Sequence, residues 1–161
     1  MTRERDVLLA RLAAERRHIL ATVDGLSEMD LTSVVAPSGW SMAQLLNHLT
    51  YDDEIFWIGA ILGADEECIG LIQDGWKVLV TSGAAAVAEY RRWVHRSDAL
   101  LTEVDLDAPP GWWPPEEVFP FPRFADAREC VFRLLMETAT HAGHLDMARE
   151  RIDGRQHLVV G

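Results

Sequence analysis

Apolar residues in this chain recur three, four or seven positions apart over long stretches, and no run alternates apolar with polar in the way a half-buried strand requires. Packing helices is therefore the way this chain can build a core. Leu8, Leu12, Ile19 and Val23 fall on one face of a helix predicted over residues 2–25. After a linker containing Pro37, Ser41-Met42-Ala43-Gln44 forms a Ser-x-x-Gln capping box, which starts a second helix reaching about residue 62. A third helix follows Thr81-Ser82-Gly83 and runs to about residue 103, with Val87, Tyr90, Val94 and Leu101 turned to the core. The fourth spans residues 125–153 and stops at Gly154, a natural left-handed terminator. Between them lie two long connections. Residues 63–80 carry a short helical turn near 65–71, and residues 105–124 hold six of the seven prolines together with Trp112 and Trp113. Four long helices joined by such loops predict an all-α four-helix bundle, one domain over residues 1–161.

Composition supports a soluble globule and narrows its partners. Of 161 residues, 48% are hydrophobic and 25% charged, enough to bury a core and unlike a disordered chain. The formal charge of −11 repels polyanions, which argues against nucleic acid and against anionic membrane surfaces. Charges interrupt each apolar run of the N-terminal MTRERDVLLARLAAE, so no signal-peptide core is present. The longest apolar stretch, residues 55–64, is about half of the ~20 residues a membrane span needs. The expected location is the cytoplasm. Cys68 and Cys130 form no C-x-x-C pair and read as reduced thiols rather than zinc ligands.

Chemistry concentrates on the last helix. Glu137, His141 and His144 follow an E-x3-H-x2-H spacing, which at about 100° per residue places all three within roughly 60° of one helix face. Burying three such groups is costly unless they bind something or one another. His48 adds a fourth candidate, set among Leu45, Leu46 and Leu49 on the second helix. Inward-facing His and Glu on facing helices are how bundles build metal sites. Nitrogen and carboxylate donors without thiolate suit Zn²⁺, Ni²⁺, Mn²⁺ or Fe²⁺. The structural alternative is a set of core histidines that hydrogen-bond one another or are satisfied by Glu137.

The Gly39-Trp40-Ser41 entry with Asn47-His48-Leu49, and the late Glu137-x3-His141-Ala142-Gly143-His144-Leu145-Asp146 followed by Arg149-Glu150-Arg151-Ile152-Asp153-Gly154, resemble the DinB superfamily. The likeness is to its actinobacterial branch of uncharacterised domains, and it covers nearly the whole chain. It implies an up-down-down-up bundle and a divalent metal, zinc or nickel, held by one His of the second helix and a spaced pair on the fourth. Carried onto this sequence, the ligands are His48, Glu137 and His141, with His144 as a fourth ligand or a supporting group. Glu137 stands where many members have His, and the similar mycothiol-dependent maleylpyruvate isomerase relatives have Glu there.

Asp52 lies one turn beyond His48, and Asp53 falls where members of the superfamily often carry an acid. Either can orient a ligand or act as a general base, the alternative being a solvated surface charge. Trp40 and Trp57 read as packing anchors and Tyr51 as structural, while Trp112 and Trp113 read as a lid or an oligomer contact. His18, His95 and His157 have no partner at ligand spacing and read as surface residues. No nucleophile elbow, phosphate loop or basic-aromatic patch is present. The resemblance implies a metal-dependent transferase or isomerase acting with a low-molecular-weight thiol such as mycothiol, in detoxification, and a homodimer. The rival expectation is a non-catalytic bundle binding a metal or small ligand.

Overall fold

The capping box at Ser41 forms as the spacing predicts: the Gln44 backbone N–H donates to Ser41 Oγ and the Ser41 N–H to Gln44 Oε1, both at 3.2 Å. The computed structural model that contains it describes residues 3–157. The capped helix, α3, runs as an α-helix only over Met42–His48. From Leu49 to Leu62 the chain stays helical but widens into a 14-residue π-helical segment. An apolar run such as Ile55 to Leu62 is nearly uniform, so its pattern cannot distinguish one helical period from another.

The other long helices lie close to their expected places. Helix α1 spans Arg3–Val23; the expected start at Thr2 lies outside the described residues. Helix α2, Glu28–Thr32, is an addition, closed by its own capping box between Ser27 and Asp30. The Ser-x-x-Asp signal was present but is followed by too few apolar residues to read as a helix. Helix α4 covers Glu66–Gly70, within the turn expected there, and a 3₁₀ turn covers Gly75–Lys77. Helix α5, Gly83–Glu103, starts on Ser82, and its first N–H, on Gly83, also donates to Glu28 Oε1 at 2.6 Å. Helix α6, Ala127–Asp153, is capped by Asp126 and ends at Gly154 with φ 75°.

The described residues contain no strand, only one isolated bridge between Val34 and Ser41, so the protein is all-α. Helix α1 packs along α6, while α5 packs against α3 and the π-helical segment. Four apolar clusters result among the described residues, two of them larger than the others. One of the larger two gathers Ile19, Leu45, Leu46, Tyr90 and Leu145, the other Leu8, Leu12, Ile58, Leu101 and Leu134. Truncating such a side chain to Ala costs about 2–5 kcal/mol. On α6 these two clusters bracket Glu137 and His141, which come between Leu134 and Ala142. No described helix is long and apolar enough to cross a membrane.

Candidate metal centre and adjoining cleft

His48 is the last residue of α3, and Glu137 and His141 stand one turn apart on α6. The three donor atoms lie within 4.8 Å of one another. His48 Nε2 is 3.3 Å and His141 Nε2 3.2 Å from the same oxygen, Glu137 Oε1. Both histidines are buried, at 7% and 9% exposure, so water does little to satisfy this cluster.

Protons determine what such a cluster can do. His48 Nδ1 sits 2.6 Å from Asp52 Oδ2. An ionised carboxylate only accepts, so Nδ1 carries the proton and a neutral His48 turns the lone pair of Nε2 towards Glu137. A neutral His141 protonated on Nε2 donates to Glu137 Oε1, but the lone pair of His48 Nε2 then still faces that oxygen and is satisfied only by an added proton or a cation between them. These donors fit a first-row divalent ion, for which His nitrogen and carboxylate oxygen are ordinary ligands.

The surroundings favour the required ionisation states. Burial, reinforced by the nearby His48, holds the His141 pKa below the ordinary value, keeping it neutral. Partial burial pushes the Glu137 carboxyl up, but Arg133, His141 and His48 outweigh it and hold the group below its ordinary value. Asp52 is itself positioned: the Gly75 N–H donates to Oδ1 at 3.1 Å and to Oδ2 at 3.2 Å. Trp76, next in the 3₁₀ turn, stacks on His48 with ring centroids 4.5 Å apart and an 18° interplanar angle. Only a glycine lets this turn lie so close, because a Cβ at position 75 would come within 2.7 Å of His48 Cα and 2.9 Å of Asp52 Oδ2.

The remaining candidates sit apart from the three donors. His144 is exposed and makes only a 3.3 Å approach through Nδ1 to His141 Nδ1, with Trp40 nearby. Asp53 is wholly buried, its carboxylate oxygens without hydrogen-bond partners among the described residues and its nearest cation, Arg133, 3.6 Å away. Burial pushes the Asp53 carboxyl well above its usual range, with Arg133 opposing and Glu54, Glu137 and Asp52 adding to the shift. His18 differs from the surface reading, for it is partly buried with Nε2 2.8 Å from Asp146 Oδ1. His95 and His157 are exposed, and the ring of His157 stacks on that of His18. Both cysteines are buried and free, and burial pushes their thiols up, Cys68 to about 11 and Cys130 to about 12, so neither supplies a thiolate at neutral pH.

Trp76, Gly75 and Arg133 join the site without having been read from the sequence. For Arg133 a signal exists, since Arg133, Glu137 and His141 form an i, i+4, i+8 ladder on α6. The 3₁₀ turn offers none, because nothing local marks a loop residue as the stacking partner of a histidine 28 positions earlier (76 − 48).

His48 and Asp52 also form one end of an open cleft of about 1110 Å³. Its other walls are largely aromatic and come from the π-helical segment, from Ile69, Ile72, Gln73 and Asp74, from Arg133 and from the Pro-rich loop, including Trp112 and Trp113. Trp57 packs there against Trp113 and Phe124, as a packing anchor should.

The sequence model of a family described as mycothiol-S-transferase matches residues 7–154. This agrees with the DinB resemblance of the His48 and Glu137-x3-His141 segments. No curated protein matches the chain.

Proposed function

The chain belongs to the mycothiol-S-transferase family, and we propose that it is a divalent-metal-dependent S-transferase that joins a low-molecular-weight thiol of the mycothiol type to a small electrophile. The observation that carries this reading is the convergence of His48 Nε2 and His141 Nε2 on Glu137 Oε1. His48, Glu137 and His141 would hold the ion, zinc or nickel. When bound, such an ion lowers the pKa of a coordinated thiol or water towards neutrality and so supplies a nucleophile.

The protein's own residues set the stage for that chemistry. Asp52 accepts the Nδ1 proton of His48 and so fixes the ring's tautomer and its orientation. Gly75 holds Asp52, and Trp76 covers the face of the His48 ring. His144, beside His141, supports that ring from outside. Asp53 has no access to the cleft and acts through Arg133, whose guanidinium keeps Glu137 ionised. The reaction forms a bond from sulfur to the electrophilic carbon, the thiol proton passes to solvent, and the leaving group departs with the electrons of the broken bond.

The fold that carries the site is read as a single four-helix bundle of up-down-down-up course, built by α1, α3 with its π-helical continuation, α5 and α6. A cytoplasmic homodimer is the assembly expected for it. The test is thiol consumption by the zinc- or nickel-loaded protein with mycothiol and an alkyl halide. Turnover that depends on the metal supports the proposal. Stoichiometric metal with no thiol consumption above the uncatalysed rate would instead make the chain a metal-binding bundle without catalysis.

A further inference from the structure

The cleft beside the candidate metal centre is built in advance of any ligand. Its loop wall is tied to the π-helical segment by the Trp112 N–H, which donates to Ile61 O at 3.0 Å. Position 111 accepts only glycine at this approach, since a Cβ there would lie 2.8 Å from Leu62 O. Farther along, Trp113 Nε1–H donates to Phe121 O at 3.3 Å, and Arg123 donates to Pro110 O. Six prolines in residues 105–124 lower the conformational entropy that ordering this loop would otherwise cost.

The charge on the walls defines what the cleft takes. Its one arginine, Arg133, lies with Cζ 4.6 Å over the Trp57 ring and with Nη1 3.6 Å from Asp53, so its charge is countered in part, although Nη1 has no hydrogen-bond partner among the described residues. Asp52 and Asp74 stand at the polar end and disfavour an anion. Val118 and Phe121 also line it and are 77% and 62% exposed, an apolar rim on which the ring of Phe121 meets that of Phe119 at 4.8 Å. A volume of about 1110 Å³ walled by rings suits a planar aromatic body, which gains from stacking as well as from burial.

We infer that the cleft binds the aromatic body of a neutral electrophile and turns its reactive carbon to the His48 and Asp52 end. Which atom reacts rests on the S-transfer reading above; the aromatic binding site does not. With a chloromethyl arene, sulfur bonds to the benzylic carbon, chloride leaves with the bonding pair, and the thiol proton goes to solvent.

The probe is N-phenyl-1-naphthylamine, a neutral aromatic amine that fluoresces on leaving water, titrated into the full-length protein with and without zinc. Saturable one-site binding is expected in both states. Val118→Asp and Phe121→Ala, both at exposed positions that folding tolerates, weaken it about fivefold or more. Met29→Ser, at an exposed residue outside the cleft, leaves it unchanged. Equal affinity in all four proteins overturns the assignment. So does absence of binding together with a dimer, seen by light scattering, that Val118→Asp dissociates, for the rim then covers a second copy of the chain. Kinetics with 1-(chloromethyl)naphthalene and iodoacetamide separate the two readings. Phe121→Ala should raise KM for the first and not for the second. Probe binding with no turnover of either compound removes the transferase and leaves the aromatic site, whereas turnover of both without probe binding does the reverse.

Discussion

His48 and Glu137, 89 residues apart in sequence, meet through Nε2 and Oε1 at 3.3 Å, and His141 brings a second imidazole nitrogen to the same oxygen at 3.2 Å. If a divalent ion completes this arrangement, each histidine is required and His144 is not. His48→Ala and His141→Ala are expected to lose stoichiometric metal, while His144→Ala retains it, by elemental analysis of untagged protein. Loss of metal in His144→Ala with retention in His141→Ala would place the site elsewhere.

Asp52 touches His48 from behind, 2.6 Å from Nδ1, and the Gly75 N–H holds it there. Removing a partner of a metal-bound histidine costs about 10–100-fold in affinity. Asp52→Asn should therefore weaken zinc binding by about that factor in a chelator competition without abolishing it. Gly75→Ala should act in the same direction, because its Cβ meets backbone at His48 Cα and Asn47 O, at 2.7 and 2.9 Å, which cannot swing aside. Unchanged affinity in both variants would mean that Asp52 does not set the orientation of the ring.

What could be read in advance divides along the range of the interactions. The Ser41 cap, the end of α6 at Gly154, and the face shared by Glu137 and His141 are set within a few residues, and the local pattern carried them, although not the Asp126 cap. His48 was a candidate from its apolar setting on the second helix, but only the DinB resemblance joined it to that face as a ligand, because periodicity does not say which helices meet. The separation of Asp52 from Asp53 was not legible. Neighbours on a helix differ in burial according to what packs against them, and here one reaches the cleft while the other is sealed against Arg133. The stacking of Trp76 on His48 is likewise a contact between a loop and a helix end, with no periodic signal in either.

Asp53 gives a pH signature whose sign follows from its burial. Its carboxyl is pushed well above the ordinary value in the folded protein, whereas the unfolded chain ionises near 3.8. Between those two values the folded state binds more proton than the unfolded state, so the unfolding free energy falls as pH rises through that window. Asp53→Asn removes the buried charge and should stabilise the protein at pH 7 by about 1–3 kcal/mol. The difference from wild type should shrink as pH falls towards the unfolded value. Urea unfolding at pH 7 and pH 5 checks this, and a variant less stable than wild type at pH 7 would show that the attraction of Arg133 outweighs desolvation.

Arg16 and Glu54 form the one ion pair among the described residues in which both side chains are almost fully buried, 2% and 1% exposed, joined at 2.8 Å and 2.5 Å. Asp98 takes the third guanidinium contact at 2.7 Å from a half-exposed position. Glu54→Ala leaves the guanidinium buried with one solvent-screened partner, and breaking such a pair costs about 3–5 kcal/mol. For a chain of this size that lowers Tm by about 6–20 °C. The Arg16→Met, Glu54→Leu double variant removes both charges and fills the space, so calorimetry should find it close to wild type or above it. If the double variant falls as far as Glu54→Ala alone, the pair contributes more than the cost of removing it from water, and α1 is held to the π-helical segment by charge rather than by packing.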